Sequence, residues 1–356
     1  MAYTTINKSS LNFNTVTYTG DGNSTQAITN TFQTDFSWIK HRGTTAAHTL
    51  QDALRGFDVA YKLCSNTADA ENNAAGATWG NYGGVSAVGA TSFTVALGSN
   101  TPYQTNANGA DYVSWNWKAA NSAGSANSHG NISSTVSANT TAGFSIVTYT
   151  GTGSNPSTVG HGLGVVPQVV LVKPRSIAYS WCMYHKSMGN TKVAYLDTSG
   201  AQSGSSVWNN TTPTNQVFTV NDNQVNKSGE THVAYCFAEK TGYSKFGAYD
   251  GNGNADGNFV FTGFKPAWIM IKRYESSGEW LIYDNKRDPI NVVDTRLEAQ
   301  DNFADSTSSG KSLDFLSNGF KIRGGDGDIN TNGGSYLYMA FGQTLVGTNN
   351  IPATAR

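Results

Sequence analysis

Charge is what this sequence has least of. Asp, Glu, Lys and Arg make up 13% of its 356 residues, and the formal net charge is −1. Neutralising a phosphate backbone takes clustered Lys and Arg, so a nucleic-acid partner is not expected. No run of five like charges is present, which leaves out both an acidic tail and a basic arm. No apolar stretch approaches the roughly 20 residues that cross a bilayer as a helix, so membrane insertion is not expected either. The opening Met1-Ala2-Tyr3-Thr4-Thr5-Ile6-Asn7-Lys8 has no basic and then apolar region of the kind that directs export. Cysteine is scarce: Cys64, Cys182 and Cys236 are odd in number and lack C-x-x-C spacing. That pattern reads as buried free thiols made in a reducing cytoplasm.

Glu and Leu are also scarce, while Gly, Ser, Thr and Asn abound. Helices favour Ala, Leu, Glu and Lys, whereas β-branched and aromatic residues between Gly/Asn turns favour strands. Aromatic residues reach 12%, enough core material to exclude disorder. The expected fold class is all-β.

Four landmarks recur three times in the same order. A strand enters a Gly-x-Gly turn at Val16-Thr17-Tyr18-Thr19-Gly20-Asp21-Gly22, at Val147-Thr148-Tyr149-Thr150-Gly151-Thr152-Gly153 and at Gly247-Ala248-Tyr249-Asp250-Gly251-Asn252-Gly253. In each, Gly is expected to supply φ > 0. A short apolar run ends in a cation at Lys40, Lys173 and Lys272; in the second and third copies Pro167 and Pro266 precede it. Such runs suit strands buried on both faces. A Phe-x-Val/Ile strand follows at Phe93, Phe218 and Phe320, and a Gly-led aromatic strand closes each unit (Tyr112 to Trp117, His232 to Phe237, Tyr336 to Phe341). Units of roughly 85–95 residues with alternating pattern fit antiparallel β-sandwich or jelly-roll-like domains. The expected organisation is an N-terminal arm (1–11), a first β-domain (12–118), a linker (119–130), a second (131–239), a third (243–342) and a C-terminal tail (343–356). Five residues, 238–242, join the last two domains, so a stiff pair and a looser first domain are expected, with Ile132 and Val136 beginning a strand of the second copy.

The start of the chain with Tyr18-Thr19-Gly20 resembles virion proteins of marine tailed phages. So do Thr135-Val136-Ser137-Ala138-Asn139, Gly160-His161-Gly162-Leu163-Gly164, Ala234-Tyr235-Cys236-Phe237-Ala238-Glu239 and Asp314-Phe315-Leu316-Ser317-Asn318-Gly319-Phe320. Those proteins carry repeated copies of a domain of unknown function and are tail fibre-like or structural. The resemblance spans Tyr3 to Phe341 and implies a place in the virion, assembled in the host cytoplasm. It carries no catalytic, cofactor or metal residues with it.

Among the residues themselves, no nucleophile elbow is present, and the six histidines lack recurrent Ser or Asp partners. His232 stands where the other copies have Tyr112 and Tyr336, which suits packing or a surface substitution. His161 precedes a strand rather than a helix, so a phosphate cradle is unsupported. Asp52…Arg55 and Asp284…Arg287 recur three apart, with His185 and Met188 in the second copy. They read as turn-stabilising surface ion pairs rather than a duplicated polar site. The loops Asp250–Asp256 and Asp326–Asn332 offer alternating Asp/Asn oxygens for Ca²⁺. An EF-hand needs Gly and Glu at its sixth and twelfth positions, and these loops have Ala255 and Phe261, or Thr331 and Leu337. Tight turns use the same residues, so no metal is assigned. Trp79, Tyr82, Tyr103 and Trp208 in polar loops could stack on sugars, and folding back onto their own domain is the commoner fate.

No catalytic, cofactor-binding or metal-binding residue is therefore expected. The expected function is a non-enzymatic structural part of a tailed-phage virion (tail, fibre or fibre attachment) that contacts other virion proteins and forms a homo-oligomer. The alternatives are a tail-tip adhesin for a host glycan or receptor, and a capsid decoration protein. A glycan depolymerase ranks last, because it needs carboxylates paired about 5–10 Å apart and none recurs in all three copies.

Overall fold

The computed structural model describes residues 4–6, 8–71 and 79–344. Its fold is all-β, built from antiparallel sheets, with one α-helical turn at Asn223–Asn226 among the described residues. Of the expected arm, Met1–Tyr3 and Asn7 lie outside the described residues, as does 345–356 of the expected tail. Gln343 and Thr344 extend the last strand.

Each copy builds a large sheet with one strand order: opening, closing, lysine-bearing, then fourth strand. The opening strands are Phe13–Thr19, Phe144–Thr150 and Ser244–Asp250. The closing strands are Asp111–Trp117, Thr231–Phe237 and Ser335–Thr344. The lysine-bearing strands are Phe36–His41, Val169–Pro174 and Phe264–Arg273, and the first two are buried throughout, as an apolar run between two layers must be. The third runs through Pro266 rather than starting after it, and its register shifts between Pro266 and Trp268, a bulge that accommodates the missing N–H. The fourth strands are Thr49–Asp52, Cys182–His185 and Trp280–Asp284. A small second sheet containing the Phe-x-Val/Ile strand covers the outer face of each.

The inner faces of the three large sheets meet in one apolar core. Trp115 and Trp117 from the first copy, Tyr235 and Phe237 from the second, and Met339 and Phe341 from the third occupy matched positions in it. Phe13, for example, lies against Trp117 of its own copy and against Phe341 and Trp268 of the third. Each large buried ring removes about 150–250 Å² from water, worth ~4–6 kcal/mol before entropy. The outer faces form smaller private cores under the covering sheets.

This shared core corrects two expectations. The first copy is not a looser appendage, because its inner face is sealed by the other two. The segment 119–130 is not a free spacer: Ala119 is buried in the common core, and Ser125–Asn127 pairs with the strand Ser134–Asn139, which in turn pairs with the second opening strand. Ile6 of the expected arm is also buried in that core.

Candidate functional site

The polar groups singled out in the sequence converge on the seams between copies. Asp52 and Arg55 form an ion pair at 2.5 Å whose side chains are fully buried, 0% exposed, so the surface reading is corrected. The sharp turn after the fourth strand places them: Asp52 Oδ1 accepts the backbone N–H groups of Leu54 and Arg55. Asp52 Oδ2 then accepts a hydrogen bond from the hydroxyl of Tyr235, on the second copy's closing strand, at 2.7 Å. The third copy repeats this toward the first, where Asp284 and Arg287 are fully buried at 2.6 Å and the Trp115 indole N–H donates to Asp284 Oδ2 at 3.1 Å. In the second copy, where both charges are replaced, His185 Nε2 lies 3.3 Å from the carbonyl of Tyr338 on the third copy's closing strand. First leans on second, second on third, third on first. The ring closes.

A second ring of contacts follows the same sense. Glu71 takes Arg55 of its own copy and Arg175 of the next, each at 2.8 Å, while Asp305 takes Arg287 at 3.0 Å and Arg42 of the first copy at 2.7 Å. The matching backbone bonds, Glu71 N–H to Arg175 O, Gln202 N–H to Tyr274 O and Asp305 N–H to Arg42 O, are all 2.7 Å.

The recurrent lysines face these seams as well. Lys173 donates to the carbonyl of Ala68 in the first copy, and Lys272 to that of Ser199 in the second. Lys40 donates to its own copy's His41 and Thr44 carbonyls. Burial pushes Lys40 down to about 7, and Lys173 and Lys272 to about 8, with Asp305 and Asp301 across the seam opposing the shift at Lys40.

The remaining candidates are structural in their contacts. His232 is buried and stacks on Tyr149 at 4.9 Å, as Tyr112 stacks on Tyr18 and Tyr336 on Tyr249. His161 lies 3.1 Å from the carbonyl of Thr214 through Nε2, and its Nδ1 accepts the N–H of Leu163. Cys64, Cys182 and Cys236 are free and buried, and burial holds their thiols protonated, Cys64 at about 12. Trp208 folds back, its indole N–H on the carbonyl of Lys192; Trp79 and Tyr82 lie together, half-buried, with centroids 6.0 Å apart; Tyr103 is half-buried.

The two Asp/Asn loops come together through Asn330, which the sequence offers only as one of the loop's alternating oxygens and which the structure makes the link between them. Its amide Nδ2 donates to Asn252 Oδ1 and to the Asn254 and Gly324 carbonyls, while Oδ1 accepts the N–H of Asn252. Asn106 and Asn226 hold the Gly-x-Gly loops of the first and second copies in the same way. The signal was present: each Asn stands three residues before the closing Gly109, Gly229 or Gly333. Asp256 pairs with Lys321 and Arg323, and Asp328 with Lys311. Among the described residues, no group of three or more His, Cys, Asp or Glu side chains is placed to hold a metal ion.

On the inner side of the seams a void of about 20 Å³ is lined by Phe36, Trp38, Leu171, Tyr235, Trp268 and Met270. A shallow depression of about 340 Å³ on the second copy is lined by Ser134, Thr148, Tyr149, Arg175 and Thr231. The geometry can lock three sheets into one body. It defines an all-β protein of three sandwiches closed around a common core. The chain belongs to the family described as Domain of unknown function (DUF7483), a single match over residues 8–344 that takes in all three copies. No curated protein and no solved structure matches it.

Proposed function

We propose that the chain is a non-enzymatic structural component of a tailed-phage virion, in the tail, a fibre or its attachment. The observation that carries the reading is the co-occurrence, in order along the chain, of the motifs that resemble such virion proteins. What the ionisable groups are doing supports it. The buried Asp–Arg pairs, with Lys173 and Lys272, hold one copy to the next, and the buried histidines contact backbone groups or pack on rings. Such a body presents a fixed surface many times over, which is how virion parts work. Its partners on this reading are other virion proteins.

Electron microscopy of virions labelled with antibody to the chain tests this. Gold at a defined place on the particle is the expected result. Absence of the chain from purified virions would overturn the proposal, and glycan cleavage by the purified chain would overturn its non-enzymatic part.

A further inference from the structure

The three opening strands have the same place in their sheets but different outer edges. In the second copy the edge is filled: Ser134–Asn139 pairs antiparallel with Phe144–Thr150, Val136 opposite Val147, Thr135 opposite Thr148 and Ser137 opposite Ile146. In the third it is obstructed by charge. Glu239 accepts the outward N–H of Phe246 at 2.9 Å, and Lys245 and Lys186 pair with that carboxylate, a device that blocks strand addition.

In the first copy no strand covers the edge; of its outward backbone groups, the Thr19 carbonyl accepts the side-chain amide of Gln26 at 3.1 Å. Asp111 accepts Arg42 N–H and Trp117 accepts Asp35 N–H, so the odd-numbered residues of the closing strand face the lysine-bearing strand. Tyr112, Ser114 and Asn116 then face the opening strand, where they pair with Tyr18, Val16 and Asn14. The backbone groups of Thr15 and Thr17 consequently point away from the sheet, and among the described residues they have no backbone partner. Thr17 and Thr19 are exposed. A groove of about 130 Å³ lined by Ser9, Phe13, Asn14, Thr15, Asn285 and Lys286 runs beside the lower half of the strand.

The filled edge says what the uncovered one takes. Val16 and Thr17 correspond to Val147 and Thr148, so the same register would place a Thr-Val-Ser/Thr segment antiparallel to them with its Val opposite Val16. The opening strand itself contains that segment, Thr15-Val16-Thr17, matching Thr135-Val136-Ser137. Carried over, the register sets Val16 opposite Val16 of another molecule and Thr15 opposite its Thr17, an arrangement that maps onto itself under a two-fold rotation. We propose that this chain dimerises by antiparallel pairing of Phe13–Thr19 with the same strand of a second copy, centred on Val16, joining two four-stranded sheets into one.

The test uses the purified full chain, so its outcome is separate from virion incorporation. Sedimentation equilibrium is expected to show a dimer. Thr17→Pro removes an N–H that faces away from the sheet, so the monomer keeps its melting temperature while the dimer dissociation constant rises at least about tenfold. Val16→Cys places a thiol at a non-hydrogen-bonded pair on the two-fold axis, where oxidation is expected to yield a disulfide-linked dimer. The native cysteines are buried and do not compete. A wild-type chain that stays monomeric, or a folded Thr17→Pro variant that dimerises as tightly, overturns the proposal. Should Thr17→Pro fail to fold, a dimeric Val16→Cys chain that does not cross-link overturns it.

Discussion

Asp284 shows how a residue's surroundings reverse its sequence-level meaning. Burial alone would raise its pKa, but the charge and hydrogen bonds of Arg287 outweigh that and hold the carboxyl below its usual range. Removing one partner of a buried pair leaves the other charge without compensation. Asp284→Ala is therefore expected to cost ~3–5 kcal/mol in urea unfolding, whereas Glu275→Ala at the more exposed Arg273 pair should cost at most ~1 kcal/mol. Equal costs would remove the seam reading. The histidines make a pH prediction. Burial lowers His48 to about 3 and His41, His185 and His232 to about 4, with Lys40 adding to the shift at His48 and His41. The folded state thus favours neutral imidazole, unfolding takes up protons between those values and the ordinary 6.5, and stability rises with pH across that window. Asp284 acts in the same sense, losing its contribution as pH falls through its folded pKa. The urea midpoint is expected to fall steadily from about pH 7 to about pH 4.5, and a flat profile would contradict the buried neutral histidines.

Among elements, the Gly-x-Gly turns divide the work between their two glycines. The second, at Gly22, Gly153 and Gly253, has φ of +72°, +71° and +68°, as the turn chemistry predicts. The first is needed for close approach instead: a Cβ on Gly151 would sit 2.3 Å from the Lys227 carbonyl oxygen. Gly151→Ala is expected to cost at least ~2 kcal/mol through forced backbone displacement. Gly229→Ala, at φ +77° with nothing within 4 Å of its added carbon, should cost about 1 kcal/mol. Chemical denaturation of the two variants checks the order, and the reverse order would make conformation rather than contact decisive at Gly151. These turns and the strands beside them were legible in the sequence, because alternation and glycine placement act over a few residues. The asparagine that holds each loop was not singled out, since Asn before Gly reads as an ordinary turn residue until its amide is seen bonding a loop more than 70 residues away.

For the whole molecule, the shared core makes the three copies one thermodynamic unit. A single copy, residues 12–118, would leave Phe13, Phe36, Trp38, Trp115 and Trp117 facing water. That segment alone is expected not to fold, and the full chain to unfold in one calorimetric transition with equal van't Hoff and calorimetric enthalpies. Two resolved transitions, or a native near-ultraviolet spectrum from the isolated segment, would show independent domains instead.

The strands, the threefold recurrence and the absence of a helical scaffold came from the sequence alone, because period-two burial, β propensity and glycine turns are local properties of the chain. How the copies close on one another was decided by tertiary structure. Asp52 and Tyr235 are 183 residues apart, and Trp115 and Asp284 are 169 apart. No local pattern distinguishes an Asp that caps its own turn at the surface from one that also receives the next copy's hydroxyl in a sealed seam. The apolar inner faces look alike whether each is covered at home or by its neighbours. Only packing three of them together reveals which.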